Sequence, residues 1–309
     1  MRATFVIGEH SFLHLGSSQD DSAAVEAFVS LLDSAQEQGT VLAWEDLFSA
    51  PVVGFESLSE FLFGMNTTLD RDVRLLLGVE LQKASTWGEA DGNPPYNLTD
   101  GSSALDFSPS VGLCLLHVAR APWAVLCLRG GPFAGACRIQ ERNDHSGGRP
   151  IWFIDETGSL SDFWRDSFLR YRAAPSEIGK KAQYAFPTTV FAPAVWSQVG
   201  RFEGAWNEVR ERLIGVLGGL DDGMVQTFEE VVHNHERISR MSSHYGVDCS
   251  PESSQTHRNA AAMRERKAQF ADRIRDCEWH AKLEPHRNRV HFCVEGGQVY
   301  VGIFTRHLL

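Results

Sequence analysis

No stretch of this 309-residue chain offers the roughly 20 uninterrupted apolar residues that a bilayer-crossing helix needs. The most apolar stretch, 111–128, is interrupted by His117, Arg120 and Pro122, so no membrane segment is expected. The opening 15 residues carry one early Arg2 and an apolar run broken by Glu9, His10 and His14. That pattern is unlike a secretory signal, and the expected location is the cytoplasm. Cysteine is sparse: Cys114, Cys127, Cys137, Cys249, Cys277 and Cys293, none in a Cys-x-x-Cys pair. This excludes the common zinc-finger spacings and a disulfide scaffold, and it fits free thiols in a reducing compartment. Internal repeats, low-complexity runs and a Gly-x-Ser-x-Gly nucleophile element are missing. The glycine-rich stretch Arg129–Gly135 lacks the Gly-Lys-Ser/Thr ending of a phosphate loop and reads as a turn. Without a secretory signal, the triplets Asn66-Thr67-Thr68 and Asn97-Leu98-Thr99 read as chance matches to the glycosylation pattern.

What is present is a soluble composition with a formal charge of −11. The charge is uneven. Acids far outnumber bases in the first 169 residues. The last 59 hold ten Lys and Arg against seven Asp and Glu, with five of the twelve histidines. A phosphate-bearing ligand meets less repulsion at the tail. The acidic half reads as a solvated or protein-binding surface.

Apolar periodicity predicts a strand at 3–8, a helix at 22–38 closed by Gly39, and a strand at 41–44. Helices follow at 57–63 and 69–83, the second with Val73, Leu76, Leu77 and Leu81 on one face. Residues 85–107 read as a loop. Ser108-Pro109 opens a helix to about residue 119, and strands are expected at 123–128, 137–141 and 150–154. Alternating strands and helices give an α/β layer structure. Beyond it come a helix at 161–171, an irregular proline-containing stretch at 173–201, and helices at 202–217 and 224–245. The glycine-rich 218–223 joins those two helices as a turn. A polar loop at 250–256 and a short helix at 257–270 precede the tail. The expected fold class is an α/β N-terminal part, a helical middle and a small antiparallel β-sheet (α+β) C-terminal part. The corresponding domains are 1–160, 161–250 and 251–309, the last two able to pack as one.

The tail carries the chemistry. Residues 277–283 and 289–295 alternate apolar and polar, and Gly296-Gly297 is the two-residue loop that tight hairpins prefer. In that register Val294 faces Val299, Phe292 faces Val301 and Val290 faces Ile303. On the other side Cys293 meets Tyr300, His291 meets Gly302 and Arg289 meets Phe304. The polar face then gathers His280, Lys282, Arg289, His291 and Tyr300. Histidine suits proton transfer near neutrality, and Lys and Arg suit the charge of a phosphorane. The competing readings are an ordinary solvated face and a metal site using His280 and His291, with His307 as a further ligand. A weaker candidate is an Asp70, Asp72 and Glu80 magnesium site, whereas His233 and His235, on the long helix with Arg237 and Arg240, read as surface positions.

The order Trp279-His280-x-Lys282, a bend, Arg289-x-His291-Phe292 and a glycine-turned return strand resembles the terminal sheet of RelE-type ribonuclease toxins, over about residues 255–309. The tail through Val301-Gly302 and His307-Leu308 also resembles the ends of bacterial proteins encoded near anti-phage defence genes. The toxin resemblance implies metal-independent RNA cleavage by His280, Lys282, Arg289, His291 and Tyr300, with no cofactor and no metal. The toxins are small and basic, so the acidic N-terminal part is expected to act as a sensor or partner-binding module. The expected partners are a protein and RNA, with no membrane. The alternative function is a non-catalytic protein-interaction subunit of a multiprotein defence complex.

Overall fold

A computed structural model of the chain describes residues 1–15, 21–65, 69–88, 95, 97–100, 104–105, 108–142, 147–285 and 287–306. The chain divides into two compact units, Met1–Phe163 and Trp164–Leu309. The helical middle and the C-terminal sheet therefore share one unit.

The first unit is built on one mixed sheet. Its elements are β1 (Ala3–Ile7), α1 (Asp21–Gln38), β2 (Gly39–Trp44), α2 (Leu58–Phe63), α3 (Arg71–Lys83), β3 (Ser85–Trp87), β4 (Leu98–Thr99), β5 (Ala104–Leu105), α4 (Pro109–His117), β6 (Trp123–Leu126), β7 (Gly135–Glu141) and β8 (Arg149–Ile154). The strand order is β3-β2-β1-β6-β8-β7-β4-β5. The first five are parallel, and β7, β4 and β5 extend one edge antiparallel. Central β1 and β6 are largely buried on both faces, as parallel strands under helices are, which is why they read as nearly continuous apolar runs. The loop expected at 85–107 contains the short strands β3, β4 and β5. Strands of two or three residues add a rung to an existing edge and leave no periodicity to read. On α3, Leu77 and Leu81 face the core whereas Leu76 faces solvent. The expected face was rotated by one position.

The second unit begins within α5 (Ser159–Arg170). It continues with α6 (Pro175–Ala185), β9 (Thr189–Phe191), a 3-10 segment (Val195–Arg201), α7 (Trp206–Glu230), α8 (Asn234–Tyr245), β10 (Cys249–Pro251), α9 (Ser254–Arg258), α10 (Ala260–Arg264), β11 (Lys267–Gln269), β12 (Ile274–Asp276), β13 (Trp279–Lys282), β14 (Arg289–Glu295) and β15 (Gln298–Thr305). Its main sheet runs β10-β13-β14-β15-β9, antiparallel except for β9, which lies parallel to β15. The stretch expected to be irregular, 173–201, thus holds a helix and an edge strand.

The expected helix–turn–helix break at 218–223 does not form, and α7 runs through it. Those glycines serve packing. A side chain at Gly219 would strike Val247, and one at Gly223 would strike the Tyr245 ring. Asp221, in the same segment, is a buried hub. Its carboxylate accepts from the Thr188 amide at 2.9 Å, from the Thr188 and Thr189 hydroxyls at 2.8 Å each and from the Arg165 guanidinium at 3.0 Å. Tertiary contacts override the low helix propensity of glycine here.

The terminal hairpin turns at Gly296 and Gly297, with φ of +57° and +72°, as a type I′ loop requires. The register matches the expected one from Glu295–Gln298 to Phe292–Val301. It then shifts at a bulge, so His291 faces Ile303, Val290 faces Phe304 and Arg289 faces Thr305. Gly302 is the extra residue. Val290, Phe292, Val299, Val301 and Phe304 form the buried apolar face. Full burial of each such side chain stabilises by about 1.5–3 kcal/mol. Trp279 joins that face, packing on Phe292 and on Phe228 of α7.

Candidate functional site

The strand pairings set the site. Ser250 on β10, His280 on β13 and His291 on β14 stand side by side across three strands. The two imidazole centroids are 5.5 Å apart. Glu252, one residue past β10, is fixed by its amide bonding to Glu278 O at 2.8 Å, and its carboxylate swings over both rings. Glu252 Oε1 lies 3.5 Å from His280 Nδ1, 3.6 Å from His291 Nδ1 and 2.9 Å from Nε of Arg266, which follows α10. The Arg266 Nη1 group donates to Ala262 O at 2.7 Å. Ser250 Oγ contacts the other side of His280, at Nε2, 3.2 Å away.

This polar face is closed. His291 is 0% and His280 6% exposed, and Glu252 and Arg266 are buried. The lid is the segment 252–277. From it Ala268, Phe270 and Cys277 press onto Gly302, and Arg275 covers the Tyr300 ring at 3.8 Å. The alternation in the sequence separates two faces but does not say that both are covered. Burial, reinforced by neighbouring His280, pushes His291 down to about 3, so its imidazole is neutral. Burial alone would raise Glu252, but the close approach of His280 and of the Arg266 guanidinium outweighs it and holds the carboxyl at about 2.

Of the five site residues expected from sequence, His280 and His291 come together as anticipated. Lys282 and Arg289 face each other one rung further along the same side. Lys282 is engaged with Asp248, Nζ lying 3.1 Å from both carboxylate oxygens. Arg289 is half-buried, its Nε without a partner, and burial lowers its pKa. Tyr300 stands apart, pinned between Phe270 and Arg275 with its hydroxyl donating to Gln298 at 2.9 Å. Glu252, Arg266 and Ser250 were not anticipated. The only trace in sequence is the brief stretch Cys249-Ser250-Pro251-Glu252 after the helix-ending Gly246, too short for a period to register. His307 lies outside the described residues, as does Asn66-Thr67-Thr68.

The residues of the weaker sequence candidate separate. Asp70 caps α3, accepting from the Asp72 amide at 2.8 Å, while Glu80 is buried beside Lys83. His233 and His235 stack on each other at 5.7 Å, and His235 is largely exposed. A further cluster that sequence did not suggest lies in the first unit, where β1 and β6 end. His10 Nδ1 is 3.2 Å from Ser108 Oγ, and Nε2 is 3.8 Å from Cys127 Sγ. Burial raises the Cys127 thiol well above its usual range, so it is no thiolate nucleophile.

Comparison of the chain with protein-family models, curated proteins and solved structures finds no match.

Proposed function

We propose that this chain is a protein-interaction subunit whose acidic N-terminal unit docks a partner protein through the outer face of α2 and α3. The observation that carries this reading is a row of large apolar side chains left in solvent. Phe63 is 54% and Met65 99% exposed, and Leu75, Leu76 and Val79 are about half exposed. Leu75 and Leu76 sit four and three residues before Val79, so they share one side of α3. The Phe63 ring lies over Gly78, which extends the row onto α2. The helix already anchors itself through Leu77 and Leu81, so the fold does not use this row. Contiguous apolar patches of this type mark docking surfaces. The acidic excess of the unit selects an occupant: a partner helix with an apolar stripe and basic flanks. The defence-gene resemblance of the tail makes a multiprotein defence assembly the natural setting.

The test is co-expression with the products of adjacent genes, using the parent and a Leu76→Asp/Val79→Asp variant. A complex formed by the parent and lost in the variant, with the variant's circular dichroism unchanged, supports the reading. A parent that stays monomeric with every candidate, or a variant that binds undiminished, overturns it.

A specific observation favours a second reading, RNA cleavage: two imidazoles 5.5 Å apart with Arg289 and Lys282 on the next rung. In this reading one imidazole takes the 2′-hydroxyl proton, the other protonates the leaving oxygen, and the cations stabilise the phosphorane. Access requires segment 252–277 to lift from the sheet. Expression of the parent and of His280→Ala/His291→Ala, followed by growth and RNA integrity, tests it. RNA loss confined to the parent supports cleavage, and intact RNA in both rejects it.

A further inference from the structure

The second unit holds a group of buried polar atoms that the protein does not satisfy by itself. Glu252 Oε1, His280 Nδ1 and both nitrogens of His291 are inaccessible and make no hydrogen bond of acceptable geometry. Glu252 Oε1 keeps the Arg266 charge at 2.9 Å, but the three imidazole nitrogens have no hydrogen-bond partner, and each such buried exception calls for an explanation. We propose that Glu252, His280 and His291 form a closed binding site for one divalent transition-metal ion of the zinc type.

The spacing of the three ligand atoms fits one ion. A tetrahedral ion with bonds of about 2.0–2.1 Å holds its ligand atoms about 3.3–3.4 Å apart. The two edges that meet at Glu252 Oε1 measure 3.5 and 3.6 Å, and the three ligand atoms all lie within 4.8 Å of one another. Those edges are long for hydrogen bonds and close to the separation an ion would impose. Two imidazoles with one carboxylate suit zinc, and also iron or manganese. Magnesium and calcium take oxygen ligands.

The surroundings complete the arrangement. When Nε2–H of His280 donates to Ser250 Oγ at 3.2 Å, Nδ1 is left as the lone pair facing the site. Metal-bound histidines use their second nitrogen in this way. Arg266 Nε holds the same Glu252 oxygen, Oε1, at 2.9 Å. With Arg266 and Arg289 nearby, the fourth position favours an anionic occupant, a hydroxide derived from water.

The site also has a structural task. Between Cys249 and Asp276 the chain forms only three-residue strands and five-residue helices, which hold little core of their own. An ion bound by Glu252 on one side and by β13 and β14 on the other clamps the start of this segment to the sheet.

The experiment uses full-length protein purified without a histidine tag or chelator. Elemental analysis is expected to return about one zinc-type ion per chain. Protein stripped by chelator is expected to rebind Zn²⁺ or Co²⁺ at one equivalent, with a higher melting temperature and, for Co²⁺, the visible bands of a tetrahedral site. His291→Ala opens a cavity at a fully buried position, so Glu252→Gln, which keeps the shape, is the primary variant, with His280→Asn beside it. Each should weaken Co²⁺ binding by at least about 100-fold while the fold is retained. Two results overturn the proposal. One is stripped, folded protein that binds neither ion and melts unchanged, which makes Glu252 a carboxylate hub shared by Arg266 and the two imidazoles. The other is stoichiometric binding that survives in both variants.

Discussion

Gly302 lies directly against Ala268. A Cβ built on Gly302 would overlap the Ala268 methyl and the Cys277 sulfur. The same glycine is the extra residue of the bulge that moves Ile303 opposite His291. Close approach of the covering segment and the register shift therefore depend on one missing side chain. Gly302→Val should destabilise the second unit by about 1–3 kcal/mol through overpacking, and Gly302→Ala by less. Urea unfolding followed by tryptophan fluorescence, to which Trp279 and the other tryptophans of the second unit contribute, measures both. Equal midpoints for parent and valine variant would show that the cover is not seated on β15.

That glycine also marks where sequence reading stopped. The hairpin was legible because Gly296-Gly297 demands positive φ and because strict alternation fixes which residues share a face. The pairing holds rung by rung from Glu295 to Phe292. It fails at Gly302 because a bulge is set by what packs above the strand, and Ala268 is more than thirty residues away in the chain. His280 and His291 were found as neighbours for the same reason that Glu252 and Arg266 were missed: the first two lie on periodic strands, the others on a connection with no period. The glycines at 218–223 misled in the opposite direction. They resemble a turn, and Leu220 and Asp221 between them are buried helix positions.

Arg165 is bonded to two aspartates of very different worth. Asp221 is buried and also satisfies Thr188 and Thr189, whereas Asp222 is half exposed and binds Arg165 alone. Asp221→Ala leaves the Thr188 amide and the Thr189 hydroxyl without their acceptor, while Arg165 keeps Asp222, so a loss of about 2–4 kcal/mol is expected. Asp222→Ala removes an exposed pair and should cost about 0–1 kcal/mol. Denaturant midpoints of the two variants should differ clearly. Similar losses in both would mean that Asp221 is not the hub.

Glu9 predicts an unusual pH response in the first unit. Its carboxyl is buried, and burial raises its pKa above the usual 4.5 despite bonds from Ser110. A carboxyl whose folded pKa exceeds its unfolded pKa binds its proton more firmly in the folded state. Its contribution to stability is therefore greatest at low pH and falls as pH rises from about 4.5 through the folded pKa. Glu9→Gln removes this titration. Relative to the parent, the variant should gain stability as pH rises, by roughly 1.4 kcal/mol for each unit of the raised pKa. Parallel stability curves between about pH 5 and pH 8 would show that Glu9 stays ionised at no cost.

Leu76 and Leu77 are adjacent in sequence and opposite in environment, 46% and 0% exposed. If the outer face of α3 is a docking surface, its residues carry binding energy and little folding energy, and the inner face the reverse. Leu77→Ala should cost about 2–5 kcal/mol by opening a cavity. Leu76→Asp should change folding stability by no more than about 0.5 kcal/mol, while raising solubility and lowering self-association at high concentration. Thermal melts and light scattering on the two variants separate these effects. A Leu76→Asp protein that unfolds like Leu77→Ala would place Leu76 in the core of the unit, and the apolar row would lose its meaning as a surface.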